Sequence, residues 1–163
     1  MKTTGMPAPS LQVRRATFED AARIDALYGQ LVADTARCVL PERLQALSED
    51  PRTALLVAEI DGQVCATVLV SLCEDVMYKR QPFAVVENVV VDVAARNRGV
   101  GVALMREVEA FCAASDCSKI MLLSSVERED AHRFFELRLR CLDQAWARQI
   151  STVLCLKSDL GSA

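Results

Sequence analysis

The sequence predicts a mixed α/β fold, a mostly antiparallel central sheet flanked by helices. Three observations lead there. Two apolar runs flank Asp61-Gly62, a two-residue loop that favours a tight hairpin. A β-branched strand then feeds a glycine-containing turn and an amphipathic helix, followed by another strand, a crossover that makes two strands parallel. The 163 residues are 52% hydrophobic and 25% charged, enough for one domain with a real core and too apolar for a disordered chain.

The elements follow in order. Residues 1–10, with Pro7 and Pro9, read as a mobile start, and a single domain is expected over 11–157 with a short tail over 158–163. Leu11 to Arg15 alternates like a strand. Thr17 precedes Asp20 by three, a capping-box variant, and opens a helix with Ala21, Ile24, Leu27 and Leu31 on one side. Pro41 suits the first turn of a short helix carrying Leu44 and Leu47, which Asp50-Pro51 ends. Strands are expected over Thr53–Ile60 and Gln63–Leu72. A polar stretch from Glu74 to Pro82 leads to the most apolar strand, Phe83–Val93. A helix over Gly99–Ala114, a strand over Lys119–Ser124, a helix over about Arg128–Leu137 and a last strand near Ile150–Lys157 complete the pattern.

Charge and cysteine content narrow the function. Nineteen Lys and Arg against 22 Asp and Glu give a net charge of −3, without the basic excess of a duplex nucleic-acid binder or a polybasic membrane anchor. The longest nearly uncharged apolar run, Val64–Cys73, is far shorter than the ~18 residues of a spanning helix. The first ten residues lack a secretory apolar stretch. A soluble, cytoplasmic protein is expected, with its seven cysteines reduced. Without Cys-x-x-Cys and with one histidine, His132, no metal site is expected.

The most informative segment runs from Val89 to Leu104. Two of six glycines, Gly99 and Gly101, open a helix that each would weaken by about 1 kcal/mol. Either they pack against a neighbouring strand, or another group approaches bare backbone there. Unpaired N–H groups, the positive end of the helix, and Arg96 and Arg98 make a seat for a phosphate or diphosphate. A dinucleotide fingerprint would need a glycine at position 104, where Leu104 stands, and no P-loop Gly-Lys-Ser/Thr occurs.

Arg96-Asn97-Arg98-Gly99-Val100-Gly101 resembles the acetyl-CoA signature of the GCN5-related N-acetyltransferases, Arg or Gln, two residues, Gly, one residue, then Gly or Ala. The resemblance extends thinly from about Leu11 to Glu136 and implies a fold of the acyl-CoA N-acyltransferase type. It implies that N–H groups around Arg98, Gly99, Val100, Gly101 and Val102 hold the coenzyme diphosphate. It also implies that the backbone of Val89, Val90 and Val91 pairs with the pantetheine arm like an added strand. Acetyl-CoA is then the co-substrate, a primary amine the acceptor, and subunit pairing through the last strands an expectation.

Glu87 and Asn88 interrupt the apolar strand. Strict alternation puts Glu87 on the face of Val85, Val89 and Val91, with Asn88 opposite. A carboxylate there loses hydration and its pKa tends to rise, as a general base needs, unless a cation satisfies it. The resemblance makes Glu87 the base candidate. Asn88 is a substrate hydrogen-bond partner or a structural residue. Tyr78, in the preceding loop, reaches substrate or anchors the loop. His132 contacts substrate or coenzyme, or is a half-exposed helix residue.

Ala131-His132-Arg133-Phe134-Phe135-Glu136 resembles the family's later helix, but Phe135 stands where many members carry the Tyr that protonates the departing thiolate. The glycine that usually ends that helix is absent from Leu137-Arg138-Leu139-Arg140-Cys141. These departures keep a second reading open, an acyl-CoA-binding module without turnover. Val86–Asp92 and Asp116–Ile120 resemble the family's glucosamine-phosphate branch, while small amines, amino sugars and peptide amines all stay open as acceptors.

Overall fold

A computed structural model describes residues 10–125, residue 133 and residues 150–155. Six strands form one sheet in the order β1 (Leu11–Arg15), β2 (Thr53–Ile60), β3 (Gln63–Cys73), β4 (Phe83–Val91), β5 (Ile120–Ser125) and β6 (Ile150–Cys155). The β1–β4 neighbours pair antiparallel, whereas β4–β5 and β5–β6 pair parallel. Among the described residues the helices α1 (Ala21–Leu31), α2 (Pro41–Ser48) and α3 (Val100–Ala114) accompany them. The mixed, mostly antiparallel sheet with flanking helices is the fold expected of the pattern. Of the helix expected over about 128–137, only Arg133 is described, as helical and exposed.

Alternation in the strands builds two cores. Ala54, Leu56 and Ala58 of β2 and Ala66, Val68 and Val70 of β3 pack with Val100, Leu104, Met105, Val108 and Cys112 of α3. Their neighbours Leu55, Val57 and Val64 turn to the other face and pack with Ala21, Ile24 and Leu27 of α1 and Leu44 of α2. Each fully buried Val, Leu, Ile or Met side chain among them contributes about 1.5–3 kcal/mol. Thr67, buried in the sheet, satisfies its hydroxyl by donating to the Leu56 carbonyl at 2.9 Å.

Local chemistry accounts for the element ends. Asp61 (φ 51°) and Gly62 (φ 78°) both take left-handed conformations, the pair of positive φ angles that a twisted two-residue hairpin needs. Asp20 accepts from the Thr17 N–H at 2.8 Å and from Arg14 at 2.8 and 3.0 Å, so the capping box first makes a 3-10 turn, Phe18–Asp20, and then α1. Pro41 opens α2, as its fixed φ favours.

Two expectations need correction. β4 ends at Val91 rather than Val93, because the Asp92 carboxylate captures the Ala94 N–H at 2.9 Å and turns the chain into a 3-10 turn, Val93–Ala95. Val93 is consequently 62% exposed. The expected alternation of β4 also fails. Thr67 pairs with Val90 but Leu69 pairs with Glu87, so Val68 alone opposes both Asn88 and Val89. The extra residue is a β-bulge, with Asn88 at φ 54°. Ala84 and Val86 face α3 before the bulge and Val89 faces it afterwards, while Val90 faces α1. Glu87 therefore shares the α1 face with its partner Leu69 and with Val90, not with Val89 and Val91.

Candidate active site

The bulge coincides with a fork in the sheet. β4 pairs with β5 only over Ala84–Val86 against Ile120–Leu122. Beyond that point β5 continues beside β6, up to Ser125 opposite Cys155, and β4 continues beside β3. β4 and β5 therefore part after Val86, and from Glu87 to Val91 the two strands share no register. Where two strands of a sheet diverge, an extended ligand can add between them as a further strand.

Downstream of the fork the chain makes an anion cradle. Asn97 (φ 59°) and Gly99 (φ 78°) alternate with residues of the opposite hand, the geometry that turns successive N–H groups toward one point. Gly99 is the N-cap of α3, and the first helical bond is Ala103 N–H to the Gly99 carbonyl at 3.0 Å. The N–H groups of Val100, Gly101 and Val102 therefore stand in the first turn, where a helix supplies no acceptor. A Cβ added to Gly99 would meet nothing within 4 Å, so the cradle opens on free space. Arg96 and Arg98 are exposed beside it. Arg96 Nε donates to the Val91 carbonyl at 3.3 Å, while burial pushes the Cys65 thiol's pKa up against the charges of Arg23 and Arg98, which favour its thiolate.

Glu87 is half-buried at the fork, and none of the ion pairs among the described residues engages it. Asn88 is exposed at the apex of the bulge, one residue further along. Sequence reasoning missed its neighbour. Tyr28 of α1 is half-buried against the α1-side core, and its hydroxyl bonds the Asn88 side chain. Burial raises its pKa to about 12, partly offset by that bond, so the phenol stays protonated at neutral pH. A signal was present: Tyr28 is four residues after Ile24, on the buried face of α1, and a buried tyrosine hydroxyl needs a partner.

The candidates do not all converge. Glu87, Asn88 and the Val89–Val91 edge lie at the fork, and Arg96–Val102 lies at the end toward which β4 runs. Tyr78 is 51% exposed in the loop before Phe83, and Phe83 alone is about 13 Å of strand from Glu87. His132 and Phe135 lie outside the described residues. Among the described residues no group of three or more His, Cys, Asp or Glu could hold a metal. No described helix is long and apolar enough to cross a membrane.

Comparison with known proteins gives a consistent picture. The model of the acetyltransferase (GNAT) family matches residues 22–139. A putative acetyltransferase from Agrobacterium tumefaciens is 26% identical with a TM-score of 0.69, over 77% of this chain and 90% of that one. A glucosamine-6-phosphate N-acetyltransferase from Arabidopsis thaliana is 23% identical with a TM-score of 0.64, over 77% of this chain and 89% of that one. A ribosomal-protein-alanine N-acetyltransferase from Brucella melitensis is 18% identical with a TM-score of 0.65, over 78% and 89% respectively. No curated protein sequence gives a significant match.

Proposed function

The chain belongs to the GNAT family of acetyltransferases, and we propose that it moves an acetyl group from acetyl-CoA to a primary amine by direct attack on the thioester. The observation that carries this reading is the fork: a bulged strand parts from β5 after Val86 and runs toward an N–H cradle flanked by two arginines. A fork between two strands followed by an anion seat fits an extended amide-containing arm that ends in a diphosphate. That is the outline of coenzyme A.

The residues divide the work. Backbone N–H groups from Arg98 to Val102, with the Arg96 and Arg98 guanidiniums, hold the diphosphate. The Val89–Val91 edge bonds the pantetheine amides, and one of its N–H groups holds the carbonyl oxygen as negative charge gathers on it. Acetyl-CoA supplies the activated acyl group, so that a C–N bond forms as the C–S bond breaks. Glu87 accepts the proton that the attacking amine gives up, directly or through water. With phenylalanine at position 135, the departing thiolate takes its proton from water. Asn88, engaged by Tyr28, serves to hold the bulge rather than to contact the acceptor. The reaction needs no covalent enzyme intermediate and no metal. Five described cysteines are free thiols, which suits a reducing cytoplasm.

The test is release of CoA thiol from acetyl-CoA across a panel of amines that includes small amines, amino sugars and peptide N-termini. Amine-dependent release supports the reading. Tight coenzyme binding with no release on any amine would instead favour a binding module, the reading that Phe135 supports. Absence of binding would overturn both.

A further inference from the structure

The cradle is not self-supporting. Every backbone N–H of its entry, Asp92 to Ala95, is bonded, two of them within the turn and two to other elements. Asp92 N–H donates to the Cys65 carbonyl of β3 at 2.8 Å, and Val93 N–H donates to Gln30 Oε1 of α1 at 3.2 Å. Ala94 N–H donates to Asp92 Oδ1 at 2.9 Å, and Ala95 N–H to the Asp92 carbonyl at 2.8 Å. Four consecutive N–H groups are thus spent on fixing this turn.

Asp92 is the hub, and Arg23 holds it. The Arg23 guanidinium donates through Nη2 to the Asp92 carboxylate and through Nε to the Val64 carbonyl of β3 at 2.7 Å. It therefore joins α1, the start of β3 and the turn in one bidentate grip, a geometry lysine cannot reproduce. Gln30, seven residues after Arg23, lies two helical turns on and reaches the same turn, bonding both Val93 and Asp92. The Ala94 N–H and Arg23 together hold the Asp92 carboxyl below the ordinary carboxylate range, so it is charged throughout the neutral region.

We propose that Arg23 and Gln30, acting through Asp92, are positioning residues for the coenzyme's diphosphate. This rests on the coenzyme reading of the cradle. Ala95 precedes Arg96 directly, so the orientation of the 92–95 turn sets the direction of the N–H donors that follow. Hydrogen bonds work within about 2.7–3.2 Å, and a shift of about 1 Å in the cradle would misplace several at once. The contacts of both residues fall on the 92–95 turn and on Val64, so their effect is expected on the diphosphate half of the ligand.

The experiment measures Kd by calorimetry for coenzyme A and for 3′-phospho-ADP, its diphosphate half, with wild type, Arg23→Met, Arg23→Lys and Gln30→Met. Losing a charge-assisted grip should weaken both ligands by a shared factor, about tenfold for Arg23→Met and about threefold for Gln30→Met, with partial recovery in Arg23→Lys. A purely architectural role would lower Tm and leave Kd for the folded protein unchanged. That outcome, or weakening confined to coenzyme A and absent for 3′-phospho-ADP, overturns the proposal. Gln30 is exposed, so Gln30→Met carries the test even where Arg23→Met fails to fold. If wild type itself binds neither ligand, the coenzyme reading falls and takes the clamp with it.

Discussion

Replacing Gly99 with alanine separates the cost of folding from the cost of losing a ligand. Gly99 caps α3 at φ 78°, ψ 1°, a left-handed conformation. An L-residue pays roughly 1–2 kcal/mol there, and alanine regains roughly 0.4–1 kcal/mol by restricting the unfolded chain. The net destabilisation is about 1 kcal/mol, equivalent to a fall of about 2–4 °C in Tm for a chain of this size. No steric term adds to it, because the new Cβ meets nothing within 4 Å. The same free space is where the account seats a diphosphate oxygen. A methyl group there displaces an oxygen that needs to come within about 3 Å of the surrounding N–H groups, and the loss of one or two charge-assisted bonds weakens coenzyme binding at least tenfold. Asparagine tolerates the left-handed region, so Gly99→Asn should recover part of the Tm loss while still obstructing the seat. Thermal unfolding without ligand and calorimetry with acetyl-CoA read the two effects independently. A normal affinity in Gly99→Ala, alongside the expected Tm loss, would refute the placement of the cradle. An unchanged Tm would refute the left-handed cap itself.

Other expectations follow from the same geometry. Glu87→Gln keeps shape but not basicity, so turnover should fall by about 10²–10⁴-fold while coenzyme affinity stays within twofold; full activity would remove Glu87 as the base. Leu104→Ala, at a fully buried α3 position, should cost about 2–5 kcal/mol in chemical denaturation, and a loss under 1 kcal/mol would contradict the packing of α3 on the sheet. Asp20 and Asp92 both titrate below the ordinary aspartate value of 3.8; burial works against the shift at Asp20, where Arg14 and the Thr17 N–H outweigh it. Their stabilisation is present above about pH 4 and is lost as pH falls through the depressed values. Acid unfolding followed by circular dichroism should show this, and a wholly acid-insensitive stability would count against those pairs.

Much of this architecture could be read before any coordinates. Asp61-Gly62 announces its hairpin, Pro41 its helix, and the two glycines after Arg96 their unusual helix start, because each acts on its own few residues of backbone. The fork and the bulge could not be read that way. Alternation counts residues in steps of two, and nothing in Val86-Glu87-Asn88-Val89 says that one residue is surplus; only its pairing with β3 does, with Val68 opposite two residues. The presence of asparagine, which tolerates positive φ, was the available hint. Arg23 and Asp92 are 69 residues apart, and Gln30 and Val93 are 63 apart, so the clamp on the cradle becomes visible only when α1 is laid across the sheet. Tyr28 falls in the same class. Helical phase put it on the buried side of α1, but its partner at Asn88 depends on where α1 lies.

A crystal structure of the protein grown with acetyl-CoA would probe the cradle and the β4 strand together. Diphosphate density is expected within hydrogen-bonding distance of N–H groups between Arg98 and Val102, with a pantetheine chain running along Val89–Val91 and the thioester carbonyl beside the bulge. Coenzyme bound elsewhere, with the Gly99 cradle empty and the β4 edge unvisited, would contradict this placement.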